Sequence, residues 1–342
     1  MYNVLFHLIF RTTLMSEEAK KNIFNLIIKN WKPGLTVALV SIPMSVSIAV
    51  ASGASPIAGI ITAIWAGILA SIFGGSNYNI VGSAGALTGI LASFVFNNGA
   101  ELLPMLAIIT GVFVLIAYFL KLEKYLVFIP SSVVHGFTLG VGFILALSQL
   151  NFAFGLENVP KHKEFIENVI ASISMTGQTH LPTLGVFIVF LAGMFILARR
   201  IKAIPSAIIL TPIGIFLGYL SVKGMLPFGV ETLGERFGAI QAQVVNLGKM
   251  HISTDLVKAA LTVTIVAILE TMLCGKVADS MTGTRFNKSK EMRALGIANI
   301  GSGLFGGLPA TAVLARTSLN IRSGATNKIS QGVNSIFVLI IS

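Results

Sequence analysis

Charge is scarce in this chain. Only 11% of its 342 residues are Asp, Glu, Lys or Arg and 54% are hydrophobic, whereas soluble domains run near a quarter charged. Water is therefore not its main solvent. Cysteine is nearly absent: the single Cys274 excludes an intrachain disulfide and leaves the compartment open. The five histidines are scattered and make no metal-ligand spacing. HExxH, a Gly-x-Ser-x-Gly elbow, a Walker loop and a carboxylate pair at acid and base spacing are all missing, so the sequence does not read as an enzyme and no cofactor is expected. The N-terminal run MYNVLFHLIFRTTLMSEEAKK lacks a small-residue cleavage site, so a signal peptide is not expected, and Met15 is a second candidate start.

The net charge of +11 raises nucleic acid as a partner. The basic residues, however, stand singly or in twos and threes between apolar spans, without a contiguous basic domain. They read as a topology signal, and no nucleic acid is expected.

What the chain has in abundance is apolar runs, and crossing a hydrocarbon core of roughly 30 Å takes about 20 such residues. Spans are expected near Leu35–Ala51, Pro56–Phe73, Ala84–Phe96, Leu102–Leu120 and Pro130–Leu150. After a polar stretch from Asn151 to Pro182 come Leu184–Ala198, Ala203–Val222, Asp255–Leu273, Met292–Leu304, Ala310–Leu319 and an eleventh from Gln331. With the N-terminus in the cytoplasm, 17 of the 24 basic residues fall in inner loops, among them Lys276, Arg285 and Lys288. Lys161, Lys163, Lys223, Arg236, Lys249 and Lys258 fall outside. That bias fits the positive-inside rule and an integral protein of the cell membrane.

Two spans, Ala84–Phe96 and Ala310–Leu319, are too short to cross, and each follows a glycine-rich segment, GGSNYNIVGSAG and GSGLFGGLP. They read as half-helices that start inside the membrane. Paired broken helices in corresponding places mark a transporter site, because irregular backbone at that depth needs protein or water to satisfy it. A half-helix start presents free N–H groups and the positive end of the dipole, so two that meet near the midplane suit an anion. Ser83, Ala84 and Gly85 on one side and Ala310, Thr311 and Ala312 on the other are the expected lining.

Glu270 sits inside the apolar run LTVTIVAILETMLCG, where a charged carboxylate costs at least about 2.5 kcal/mol. Its expected role is to couple a proton or sodium ion to anion movement; the alternative is a neutral glutamate that joins helices. Cys274, one turn along the same face, is a small packing residue or part of the coupling-ion site. Arg316 is placed two turns into the second half-helix, where it either attracts an anion or snorkels to the interface. Ser41, Ser45 and Ser47 beside Pro43 either line the site or bond their own backbone. Lys276, Asp279 and Arg285 mark the cytoplasmic end of the eighth span.

These residues resemble the SulP family of anion transporters, the sulfate permeases, whose animal relatives include the pendrin and prestin group. KSKEMRALGIANIGSGLFGGLPATAVLARTSLNIRSGATNKIS resembles the family's ninth and tenth helices, SIPMSVSIAVASGASPIAGI its first, GGSNYNIVGSAGALTG its third, and ETMLCGKVADSMTGTRFNKSKE its eighth with the following loop. Met44 stands where many relatives have glutamine, and Ser83-Ala84 where Gly-Pro-Thr is usual. The resemblance implies an all-α polytopic membrane protein with a seven-plus-seven inverted repeat, the anion held between helices three and ten near Met44, and Glu270 as the coupling carboxylate. It divides the chain into a cytoplasmic segment 1–30, core helices one to four (31–125), gate helices five to seven (126–250) and core helices eight to eleven (251–342). The chain stops inside the eleventh helix, so a truncated reading is expected, without helices twelve to fourteen or a STAS domain. The implied activity is secondary active transport of a small inorganic anion, sulfate first and bicarbonate next, by a homodimer in the bilayer. A proton-coupled dicarboxylate carrier and a passive anion channel or exchanger are the alternatives.

Overall fold

The computed structural model describes residues 17–128, 131–160, 162, 164–201, 206–226, 229, 232 and 253–342. Met1, Met15, Lys161, Lys163, Arg236 and Lys249 lie outside them. The described chain is almost wholly helical: α1 (Glu17–Ala51), α2 (Pro56–Phe73), α3 (Thr88–Asn98), α4 (Leu103–Phe119), α5 (Ser131–Ser148), α6 (Leu150–Ala153), α7 (Phe165–Ser174), α8 (Leu181–Arg200) and α9 (Ser206–Val222). α10 (Thr254–Thr282), α11 (Lys288–Leu304), α12 (Leu314–Arg322) and α13 (Ile329–Ile341) complete it. Two extended pieces, β1 (Val81–Gly82) and β2 (Thr311–Ala312), form an antiparallel pair.

Local chemistry sets the helix ends. Pro56 and the prolines of α4 and α8 occupy first-turn positions, where a missing N–H costs nothing. Ser253 and Asn287 accept from Leu256 N and Lys290 N and so cap α10 and α11. Gly283, at φ +70°, lets the chain leave α10. Five helical stretches are long and apolar enough to cross a membrane: Phe24–Ala51, Pro56–Phe73, Ala100–Phe119, Leu181–Arg200 and Thr254–Thr282.

The long elements pack into one body. α11 lies along α4 and α2, α13 along α1 and α2, and α10 along α4. At the α4–α11 seam, a Cβ on Gly111 would sit 2.6 Å from Gly296 O and 2.7 Å from Ile300 N, so only glycine permits this approach. The order helix, helix, strand then short helix, helix in α1–α4 recurs in α10–α13. Outside this body α8 packs on α9 and buries none of its own residues. Its Phe187, Ile188, Val189, Phe195 and Ile196 are exposed, an apolar face of the kind that lipid or further protein covers.

Several boundaries differ from the sequence reading. The stretch from Asn151 to Pro182 holds α6, α7 and the first residues of α8. α7 keeps Ala171 and Ser172 buried and leaves Ile166, Ile170 and Ile173 exposed, so its apolar content is a face rather than a run. The segment before residue 31 is helical from Glu17 and continuous with the first span across Pro33 and Gly34: a helix carries the proline at the expense of one bond, and Gly34 sits where a Cβ would lie 2.9 Å from Ser330 O.

Candidate functional site

The site is built where the chain stops being helical. β1 and β2 cross with Val81 opposite Ala312 and Gly82 opposite Thr311, and Val313 N adds a bond to Ile80 O at 2.8 Å. Because the pair is antiparallel, α3 and α12 leave the crossing in opposite directions with both N-termini at it. Neither start has a side-chain cap: Ala84 precedes a single 3-10 turn at Gly85–Leu87, and Val313 precedes α12, both with extended backbone. The first N–H groups of a helix have no intrahelical partner, and uncapped ones are suited to an anion.

A two-residue sheet cannot satisfy its own edges, and side chains from neighbouring helices complete it. From α11, Asn299 Nδ2 donates to Ala310 O at 2.9 Å while its Oδ1 accepts from Ala310 N at 2.8 Å. From α13, Gln331 Oε1 accepts from Val81 N at 3.0 Å and Nε2 donates to Val81 O at 3.4 Å. Each amide imitates a strand neighbour. Thr317 Oγ1 accepts from Ile80 N, and Thr271 Oγ1 from Ala312 N, both at 3.1 Å. The approach to β2 is held by Thr62, whose Oγ1 accepts from Leu308 N at 2.7 Å, and by Ser302, which donates to Leu308 O at 2.6 Å.

Behind β1 a second anchor holds the incoming loop. Glu291, buried at the start of α11, accepts through Oε2 from Gly75 N at 2.7 Å and Ser76 N at 2.9 Å, and through Oε1 from Asn79 Nδ2 at 2.7 Å. Lys328, in the link between α12 and α13, donates to Ile72 O at 2.9 Å and Gly74 O at 3.1 Å. Its partial burial lowers the ammonium pKa, and Glu291 works against that shift.

The structure brings the sequence-derived residues together around this crossing. Ser83, Ala84 and Gly85 are buried at the first helix start, and Ala310, Thr311 and Ala312 are buried on the opposite strand. Glu270, on α10, is buried and faces the Thr311 side chain and the Arg316 guanidinium. Cys274, one turn on, donates through Sγ to Ala312 O at 3.2 Å. Met44 is half-buried on α1, Ser41 and Ser45 are buried, and Ser47 on another face is exposed. Among the described residues Ser41 Oγ, Ser83 Oγ, Thr88 Oγ1, Glu270 Oε2 and Arg316 Nε are buried without a hydrogen-bond partner. Buried, unmet polar atoms on the elements that build the crossing fit a polar guest better than a dry core.

Three expectations need correction. The second half-helix begins at Leu314, not Ala310, since residues 310–313 are held extended by Asn299 and by the pairing with β1. Arg316 therefore lies in the first turn of α12, not two turns along. It does not snorkel: it is 1% exposed, donates from Nη2 to Ser45 Oγ at 3.1 Å, and fills the space beside Gly82, where a Cβ would lie 2.9 Å from Nη1. The first half-helix likewise becomes α-helical only at Thr88 and runs on to Asn98.

Asn299, Gln331, Thr271, Thr317 and Glu291 were not singled out from sequence. The available signal was a carboxamide inside each of two apolar stretches, GIANIGSGL and ISQGVNSIF, since polar residues within spans face protein rather than lipid.

Comparison with known proteins follows the same map. The model of the sulfate permease family matches residues 28–342. The chain belongs to the sulfate permease family. Similar members are YvdB of Bacillus subtilis (strain 168), whose name proposes sulfate transport, at 32% identity over 90% of this chain and 58% of that one, and the bicarbonate transporter BicA of Picosynechococcus sp., at 29% over 90% and 56%. The chain thus spans little more than half the length of these curated sulfate permease relatives. Its fold matches the transmembrane domain of a cyanobacterial BicA with a TM-score of 0.79 at 25% identity, covering 93% of this chain and 82% of that domain. It also matches SLC26A9 with a TM-score of 0.77 at 17% identity, over 93% of this chain and 54% of that one. Like them, this sulfate permease family chain is an integral, multi-pass membrane protein.

Proposed function

We propose that this chain carries the anion site of a secondary active transporter for small inorganic anions, sulfate first and bicarbonate next, with Glu270 coupling movement to protons or sodium. The observation that carries the reading is the meeting of two uncapped helix starts at the β1–β2 crossing, with Arg316 buried beside them. Each helix start stabilises a nearby negative charge by roughly 0.3–2 kcal/mol. The anion lies between Ser83–Gly85 and the residues around Thr311, with Met44 at its edge. Relatives named for sulfate and bicarbonate transport support this substrate class.

In this reading the recurring element order is an inverted repeat. Helices α1–α4 and α10–α13 form the core that carries the anion, and α5–α9 belong to the gate against which it moves. The protein works as a homodimer in the cell membrane with a cytoplasmic N-terminus.

The test is uptake of radiolabelled sulfate, bicarbonate and succinate into proteoliposomes that contain the protein, with and without proton and sodium gradients. Accumulation of sulfate or bicarbonate above equilibrium supports the reading. Accumulation of succinate alone moves the substrate to dicarboxylates. Equilibration of every anion regardless of gradient makes the protein a passive channel or exchanger, and no uptake at all removes the transport reading.

A further inference from the structure

α10 has 29 residues, about 43 Å at 1.5 Å per residue, so its two ends lie on opposite sides of the hydrocarbon core. Lys276 lies near one end, with Arg285 and Lys288 just beyond it. At the other end, where α10 begins beside the end of α3, lies a cavity of about 520 Å³. Its walls include Gly89, Ser93 and Asn97 from α3 and Asp255, Lys258 and Ala259 from α10. The basic cluster places that far end inside and the cavity outside.

Gly89, Ser93 and Asn97 are spaced by four residues and form one stripe along α3. The stripe is open at its inner end, since a Cβ on Gly89 would meet nothing within 4 Å. The cavity therefore reaches from the first turn of α3, past Ile90 and Phe94 as well as the polar stripe, to a mouth that holds one cation, Lys258, and one carboxylate, Asp255, both exposed.

We propose that this cavity is the outer vestibule of the anion site, where Lys258 draws small anions toward the start of α3 and Asp255 opposes it. The inference rests on the transport reading above. An elementary positive charge at the mouth concentrates a divalent anion as the square of its effect on a monovalent one, and salt screens both. Opposite charges on one rim also give opposite signs on removal, which no purely structural role does.

The experiment uses the intact protein in proteoliposomes. Lys258→Gln is expected to raise the apparent KM about 3-fold for bicarbonate and about 10-fold for sulfate at low ionic strength, with the maximal rate unchanged. Asp255→Asn lowers the KM, Lys258→Arg restores it, and both shifts shrink toward one in about 0.5 M salt. A KM unmoved by Lys258→Gln, or raised alike by both variants whatever the salt, overturns the vestibule. A second arm does not depend on transport: Ser93→Cys is labelled from outside with a negatively or a positively charged methanethiosulfonate. The anionic reagent reacts faster, sulfate slows it, and Lys258→Gln erases the preference. Equal rates that ignore both sulfate and Lys258→Gln overturn the inference, whereas absent uptake with the labelling pattern intact counts against the transport reading alone.

Discussion

Arg316 Nη2 donates to Ser45 Oγ at 3.1 Å, which ties the first turn of α12 to the last two turns of α1 and holds a positive charge fully inside the protein. Nε of the same guanidinium has no partner among the described residues. A buried cation held by one neutral hydroxyl, with the Glu270 carboxylate nearby, is poised for a further negative charge. Arg316→Gln is therefore expected to lower anion uptake at least about tenfold, equivalent to 1.4 kcal/mol. Arg316→Lys retains part of it, because the charge stays while the bond from Nη2 to Ser45 is lost. Initial uptake rates, normalised to protein that elutes as a single species in detergent, decide this. Unchanged uptake in Arg316→Gln removes Arg316 from the site.

Glu270→Gln is nearly isosteric and removes only the charge and the exchangeable proton. Accumulation against a gradient is expected to be lost while exchange of anion for anion persists. Comparing net uptake with counterflow in the same vesicles separates the two. Undiminished accumulation in this variant sinks the coupling role and leaves Glu270 as a packing residue.

A Cβ on Gly67 of α2 would collide with Gln331 Nε2 and Ser335 Oγ. Gly67→Ala therefore pushes Gln331 off Val81 and strands a backbone N–H and a carbonyl. The expected loss of stability is about 2–4 kcal/mol, from overpacking plus the unpaired groups. Thermal unfolding followed in detergent should show it. Pairing Gly67→Ala with Gln331→Ala, which removes one of the two collisions and counts the lost clamp only once, should give a loss below the sum of the two single variants.

Glu291→Ala leaves Gly75 N and Ser76 N without their acceptor and Asn79 Nδ2 with only the longer bond to Thr271 O at 3.4 Å. Stranded donors at roughly 1–3 kcal/mol each put this among the most damaging single changes, with folded yield expected to fall sharply. Glu291→Gln keeps an acceptor for part of the set and should fall between. If instead Glu291→Ala folds with wild-type stability, the loop before β1 is not held by this carboxylate.

Much of this was legible in the sequence because the signals are local. Apolar runs place the long helices, and the Gly-rich segments before Ala84 and Ala310 mark the two broken ones without reference to any contact. Glu270 and Arg316 stand out as charges in apolar company. What stayed hidden depends on partners far away in the chain. Nothing local says that Val81 faces Ala312, so the start of the second half-helix was read four residues too early, at Ala310 in place of Leu314. Nor does spacing tell that Arg316 folds inward against Ser45 and Gly82 instead of reaching for the interface. Asn299 and Gln331 carried a weak signal, since an amide in a span has many packing uses and only the crossing strands give it one. α7 falls within a stretch that reads as polar because three isoleucines in ten residues are too few for a span, although their spacing by four and three marks a helix face.

The amide clamps of Asn299 and Gln331 have a consequence for solvent. A short strand inside a membrane protein ordinarily needs water molecules to complete its hydrogen bonds, and such waters would have to travel with it or be replaced at every rearrangement. Here the two side chains close off the backbone of Ala310 and Val81 in their place. The crossing can stay dry on that flank, so its backbone can be hydrated only from the opposite side.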